Sequence, residues 1–293
     1  MNMEILHEEK LKFLEGMANQ LRQDVIEMIL EAGSGHPAGA LGMADIFAAF
    51  YFHILKHDPK NPDWPDRDRL VISNGHICPV QYAALARAGY FPVEELKTLR
   101  KLGSRLQGHP YRKALPGIET SSGPLGEGLS QAIGMALAGR LGGSTGSPQV
   151  KKYRVYCIMS DGEQDCGNIW EAVMLAGKYR LSNLTAVIDR NNIQSDGFTE
   201  EIMPLEPLRD KYESFNWHVL EVDGHNIEEF IDAINEARAI YEKPTVIIAH
   251  TIAGKGVDFM EFDFRWHAMA LNKEQARKAL EELRTLQNKI ESE

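Results

Sequence analysis

Three acids stand within five residues of one another in "SDGEQDCGNIWE", residues 160–171: Asp161, Glu163 and Asp165. An apolar run over 153–159 precedes them and an apolar-periodic one over 168–180 follows, so a strand is expected to end on Asp161 before a helix begins. Asn191, in "RNNIQSDG", falls just past a second apolar run over 184–189. That separation is an ordinary βαβ period, and in a parallel sheet it sets a carboxylate beside a carboxamide at the strand ends where ligands bind. With one backbone carbonyl from the "RNNIQSDG" loop the set offers three oxygen ligands. Hard cations such as Mg²⁺ or Ca²⁺ take such ligands and complete their shell with water and substrate phosphates. Gly162 lets a ligand approach the backbone, and the amino end of the following helix favours an anion. A diphosphate bridged by a divalent cation fits this pattern. Asp-Gly and Asn-Asn pairs are also common turn residues, and spacing alone leaves both readings open.

A second group is four histidines in Gly- or Pro-punctuated loops: His36 in "GSGHP", His76 in "SNGHI", His109 in "QGHPY" and His267 in "RWHAM". Imidazoles hydrogen-bond hydroxyls and move protons near pH 7, although a single histidine is more often structural. His53 and His57 have the spacing of a metal pair, yet better mark a helix C-terminus. "SSGPLGEGLSQ" is not a nucleotide loop: Gln131 stands where a third glycine is needed, no strand precedes it, and GxxxxGK[ST] is absent from the chain. Its glycines suit a rigid loop closing over a flat ring.

The elements that must position these residues follow from periodicity. Helices are expected over 8–32, 43–56, 79–88, 92–102, 129–142, 168–180 and 226–239. Strands are expected over 70–73, 153–159, 184–189, 217–222 and 245–250. The first helix should stop at "AGSGHPAGALG", and 102–128 is a long aperiodic segment of the kind that carries function. Strands alternating with helices mean an α/β fold: a doubly wound, mainly parallel sheet with helices on both faces. One domain is expected over 1–270, with an amphipathic helical tail over 271–293, either an arm for another subunit or a plain terminal helix.

Of the 293 residues, 43% are hydrophobic and 25% charged, enough for a sizeable core. The formal net charge of −10 argues against nucleic acid or an anionic membrane as partner. Three cysteines without a CxxC indicate reduced thiols. No signal-like or membrane-spanning apolar stretch occurs, so a cytoplasmic location is expected.

Together, "SDGEQDCGNIWEA" with "AVIDRNNIQSDG", "EAGSGHPAGALG", "LVISNGH", "GIETSSGPLGEGLSQAIGMALA" and "TIAGKGVDFMEFDFRWH" resemble the N-terminal part of transketolases, in the same order. The resemblance implies the diphosphate-binding domain of the thiamine-diphosphate fold and a two-carbon ketol transfer from a ketose phosphate to an aldose phosphate, as in the pentose phosphate pathway. It implies that Asp161, Asn191 and the Ile193 carbonyl hold Mg²⁺ (or Ca²⁺ or Mn²⁺), with Gly162 against the diphosphate. It places Gly123, Pro124 and Leu125 on the cofactor rings and His76 on the cofactor. His36, His109 and His267 would face the substrate, His267 also lying near the diphosphate.

Because transketolases continue into pyrimidine-binding and C-terminal domains, the chain resembles one half of a split enzyme, active with a C-terminal partner in an α2β2 heterotetramer. Ser160, Asn192, Glu127 and Cys166 depart from the family's usual residues, Cys166 replacing an interface glutamate. Glu163 and Asp165 receive no ligand role. Alternatives are an enzyme for a modified sugar, a 2-oxo acid dehydrogenase-type subunit, and a non-catalytic cofactor-binding relative.

Overall fold

The computed structural model describes residues 7–141 and 153–292. The first six residues, Gly142 at the end of one expected helix, and Glu293 at the end of the tail lie outside them. Helix α1 (Glu8–Ala32) leads into short helices α2 (Pro37–Gly42) and α3 (Ala44–Ala49), strand β1 (Arg69–Ile72), and helices α4 (Cys78–Arg87) and α5 (Glu127–Leu141). Next come β2 (Val155–Ser160), α6 (Gly167–Lys178), β3 (Leu184–Arg190), and a small hairpin of β4 (Ile193–Gln194) and β5 (Gly197–Phe198). The chain closes with α7 (Thr199–Ile202), α8 (Leu208–Ser214), β6 (His218–Asp223), α9 (Ile227–Ala239), β7 (Thr245–His250) and α10 (Lys273–Ser292).

Five strands form one parallel sheet in the order β1-β2-β3-β7-β6. Every residue of β2 and β3 is buried, as continuous apolar runs require of strands covered on both faces. Alternation along β2 sorts its side chains between two cores. Tyr156 and Ile158 pack with Leu21, Phe47 and Phe230 of α1, α3 and α9. Cys157 and Met159 pack with Ile133, Val173 and Tyr212 of α5, α6 and α8. The sheet is thus doubly wound, as expected.

Three expectations need correction. Helix α1 stops at Ala32 as expected, but the rest of "AGSGHPAGALG" is not all loop: Pro37 opens α2 at its first turn, where its missing N–H costs nothing. The glycines of α2 serve close packing, since a Cβ on Gly42 would lie 2.8 Å from the Ile252 carbonyl oxygen. The helix expected over 43–56 is α3 followed by a π-helical turn, Phe50–Ile54, and that over 92–102 shrinks to a 3₁₀ segment, Val93–Thr98. The tail helix α10 packs on α1 through Ala276, Ala279 and Leu283, and Asn19 Nδ2 donates to the Leu283 carbonyl at 2.9 Å. It is docked rather than extended as an arm. Among the described residues, no helix is long and apolar enough to cross a membrane.

Candidate functional site

Strands β2 and β3 pair so that Ser160 faces Asp189, and the Asp161 N–H donates to the Asp189 carbonyl at 3.2 Å. Asp161 and Asn191 therefore leave neighbouring strands together, as the spacing required. Asp161 Oδ1 accepts the Gly162 N–H at 2.7 Å, and Oδ2 accepts the Asn192 N–H at 2.7 Å and Arg190 Nη1 at 3.3 Å. Asn191 Oδ1 accepts the Ile193 N–H at 3.0 Å, while its Nδ2 donates to Asp189 Oδ2 at 3.0 Å. The Asp189 contact fixes which way the carboxamide faces. Asn192 has φ of 63°, the left-handed turn that asparagine tolerates in place of glycine.

These donors fit a hard divalent cation. The Asp161 carboxylate has about four lone-pair sites and uses three, and the Asn191 amide oxygen uses one of two. All the offered ligands are oxygens, the set that Mg²⁺ and Ca²⁺ prefer. Burial pushes the Asp161 carboxyl up to about 6, against the pull of Arg190 and the two N–H groups. Burial also pushes Asp189 up to about 7, opposed by the Thr251 hydroxyl and assisted by the neighbouring Asp161 charge.

The three acids of the opening stretch separate by environment. A 3₁₀ turn over Gly162–Asp165 points Glu163 inward and leaves Asp165 exposed. Asp165 accepts from Gln194 Nε2 at 2.9 Å. Cys166 is half-buried at the start of α6, and its thiol is raised by burial and by the Glu163 and Asp165 charges. A raised thiol is a poor nucleophile.

The four histidines, far apart in sequence, form one cluster. Ring centroids lie 5.2 Å apart for His36–His76, 6.3 Å for His36–His109, 5.6 Å for His36–His267 and 5.1 Å for His76–His267. All four are held below the usual imidazole range, and burial is the largest cause in each. His36 is driven down to about 4 by burial and then by the positive potential of His267, Arg100 and His109. Neutral imidazoles can donate and accept at once, which suits a hydroxylated ligand. Buried polar atoms without a partner among the described residues accompany them: Nδ1 of His36 and both side-chain polar atoms of Asn74.

The Gly123–Leu125 segment closes on this cluster, since a Cβ on Gly123 would lie 3.8 Å from the His109 ring. Pro124 and Leu125 are exposed, and Pro124 lines a cavity of about 370 Å³ with Ser121, Ser122 and Glu127. The turn carrying His267 rests on the β4–β5 hairpin, where Phe264 meets Phe198 at 6.1 Å. The histidine cluster and the Asp161–Asn191 pair thus share one rim of the sheet. His57 stands apart, bonded to Tyr90 Oη at 3.0 Å and the Tyr51 carbonyl at 2.8 Å. Among the described residues no group of three His, Cys, Asp or Glu side chains is placed to hold a metal, so an ion would rest on the mixed Asp, Asn and carbonyl set.

Several residues of the site receive no role from the sequence. Arg190 is buried and spans Asp161, Thr199, Glu200 and Glu206. Arg100, at φ of 59°, donates to two neutral groups, Ser34 Oγ and the Gly108 carbonyl. Glu163 and Asp189 are buried carboxyls. The signals for them in sequence are indirect: Glu163 stands in the acidic stretch after Asp161, and Asp189 and Arg190 adjoin Asn191.

Residues 14–288 match the family described as transketolase, thiamine diphosphate binding domain. The 6-deoxy-6-sulfo-D-fructose transketolase subunit SqwG of Clostridium sp. (strain MSTE9) is 45% identical over 270 residues, covering 92% of this chain and 96% of that protein. An apulose-4-phosphate transketolase subunit from Phocaeicola vulgatus is 38% identical over 284 residues, covering 97% and 98%. The crystal structure of transketolase from Campylobacter jejuni superposes with a TM-score of 0.86 at 36% identity, over 97% of this chain and 43% of that one. The chain spans just under half of that single-chain enzyme and nearly all of the two subunits. It belongs to the transketolase family and carries that family's thiamine diphosphate binding domain.

Proposed function

We propose that the chain is the diphosphate-binding subunit of a two-subunit transketolase that moves a two-carbon ketol unit from a ketose phosphate to an aldose phosphate. The observation that carries this reading is that an Asp161–Asn191 oxygen set and four histidines clustered around His36 lie at one sheet rim. Asp161, Asn191 and the Ile193 carbonyl hold a divalent ion, Mg²⁺ in the first instance, and Gly162 admits the diphosphate. Gly123, Pro124 and Leu125 lie along the cofactor rings, with His76 and His267 beside it. When bound, thiamine diphosphate supplies the electron sink for breaking and making the carbon–carbon bond.

This chain's own residues bind, orient and handle protons. His36, depressed to about 4, is neutral at pH 7 and so can accept a hydrogen bond from a substrate hydroxyl. With His109 and His267 it holds the hydroxyls and carbonyl of the sugar. The remaining domains come from a partner polypeptide, in an α2β2 assembly. Supporting this are the exposed apolar side chains Met174 and Leu175 on α6 and Tyr179 just after it, with Leu141 exposed at the end of α5.

A second reading, a modified sugar as substrate, is favoured by the names of the two subunit-length relatives. A sulfosugar would place the reaction outside the pentose phosphate pathway. The test is to purify the chain with its natural partner and assay ketose phosphates, apulose 4-phosphate and 6-deoxy-6-sulfo-D-fructose with Mg²⁺ and thiamine diphosphate. Ketol transfer to an aldose phosphate is expected. Oxidative decarboxylation of a 2-oxo acid, with no ketol transfer, would overturn the reading.

A further inference from the structure

Glu163 is fully buried at the centre of the site. Its Oε1 accepts the Ser73 hydroxyl and the Gly126 N–H, the latter at 2.9 Å, and its Oε2 accepts the Ser160 N–H at 2.9 Å. Ser73 Oγ in turn accepts the Gly128 N–H at 3.0 Å, and Ser122 Oγ donates to the Ser73 carbonyl at 2.9 Å. Gly126 and Gly128 bracket the first residue of α5, whose leading amides have no partner within the helix. Glu163 and Ser73 satisfy them from another part of the chain. The positive end of α5 helps a buried carboxylate that pairs with no cation among the described residues.

The three segments tied to this carboxylate each carry a different part of the site. Ser73 precedes Asn74–His76, Gly126 follows Gly123–Leu125, and Ser160 precedes Asp161. We infer that Glu163 is a positioning residue, which locks the ring-side loop 120–128 and the His76 turn onto the strand end that holds the metal ligand. The inference rests on the proposed function for the identity of what is bound, but the loop geometry is independent of it.

The two ends of this link differ in their other supports. The strand end is also fixed by the Asp161 N–H on Asp189 and by the Gly162 and Asn192 amides on Asp161. Loop 120–126 has fewer ties, chiefly the Ser122 N–H on the Pro110 carbonyl and the Ser122 hydroxyl on Ser73. In a Glu163→Gln variant one terminal oxygen becomes an NH₂ that cannot accept. Turned toward Ser160 it would face the N–H of a rigid strand end. Turned toward Gly126 it faces the N–H of a segment able to move, so the Gly126 side gives way.

The test uses Glu163→Gln in the full chain, with Ser73→Ala as a second variant that keeps the carboxylate but removes one donor to it and the acceptor of the Gly128 N–H. Backbone amide exchange at Gly126 should speed up about tenfold or more in Glu163→Gln, and less in Ser73→Ala, with the Asp189 and Ile188 amides unchanged. In the complex with the partner subunit, the thiamine diphosphate Kd should rise about tenfold at saturating Mg²⁺, as one lost buried hydrogen bond implies. The Kd for magnesium pyrophosphate, which lacks the rings, should stay within about twofold on the same ground. Unchanged exchange at Gly126, or equal weakening of both ligands, would overturn the positioning role. Should the unaltered complex bind no thiamine diphosphate, the proposed function fails instead, and the exchange measurement still decides the role of Glu163.

Discussion

Arg190 Nη1 lies 3.3 Å from Asp161 Oδ2, with both side chains almost completely buried at the ends of adjacent strands. A fixed cation therefore stands behind the expected metal ligand, itself held by Thr199, Glu200 and Glu206. Replacing it with methionine would leave Asp161 short of one charge partner inside the protein. Arg190→Met should cost about 3 kcal/mol of unfolding free energy, the scale seen when one half of a buried pair is deleted. Urea denaturation checks this, and a loss below about 1 kcal/mol would show the pair to be worth no more than a surface one.

The histidine cluster has a signature in the pH dependence of stability. His36 titrates near 6.5 when unfolded and about 4 when folded. Between these values the unfolded chain binds more protons, so its contribution is intact above pH 6.5 and is lost as pH falls toward 4. Asp161 and Asp189, raised to about 6 and about 7, act with the opposite sign. Only the difference between His36→Asn and the unaltered chain isolates the histidine. That difference should move in favour of the variant from pH 6.5 down to 4.5, read by denaturation at each pH; a constant difference would contradict the depressed value.

Gly128 tests how tightly loop and strand end are joined. Alanine is the better helix former by about 1 kcal/mol, yet its Cβ would lie 2.6 Å from Ser73 Cα. Backbone must move to admit it, so Gly128→Ala should be net destabilising by about 1–3 kcal/mol. A rise in melting temperature would show that β1 and α5 are more loosely packed than described.

Helix α10 should depend on Leu283, which is fully buried against α1. Leu283→Ala removes that anchor at a cost of about 2–5 kcal/mol. Limited proteolysis should then cut first within 273–292, leaving a core resistant to further cleavage. Equal resistance in both proteins would mean α10 is held by its polar contacts, such as Asn19 to Leu283 and Gln287.

Much of the architecture is legible because β2 and β3 are buried on both faces and read as uninterrupted apolar runs. The same spacing places Asp161 beside Asn191. The histidine cluster is legible only as four separate loops, since nothing in sequence measures how "SNGH" and "RWH" meet. The burial of Glu163 and Arg190 cannot be read from charge: it depends on partners elsewhere in the chain, Ser73 for Glu163, 90 residues away, and Asp161 for Arg190. Helix α2 escapes any reading of glycine and proline as breakers, because proline opens that helix and glycine makes room for Ile252. The 92–102 stretch fails for the opposite reason, its periodicity being too short-lived to sustain more than a 3₁₀ segment.

Whether the chain is one half of a ketol-transferring enzyme is tested most directly by a single measurement. Transfer from a ketose phosphate to an aldose phosphate, with Mg²⁺ and thiamine diphosphate, is followed for the purified chain alone and then with its C-terminal partner added. No turnover by the chain alone and turnover on adding the partner, abolished by Asp161→Ala, is the expected result. Turnover by the chain alone, or turnover by the pair that survives Asp161→Ala unchanged, would contradict it.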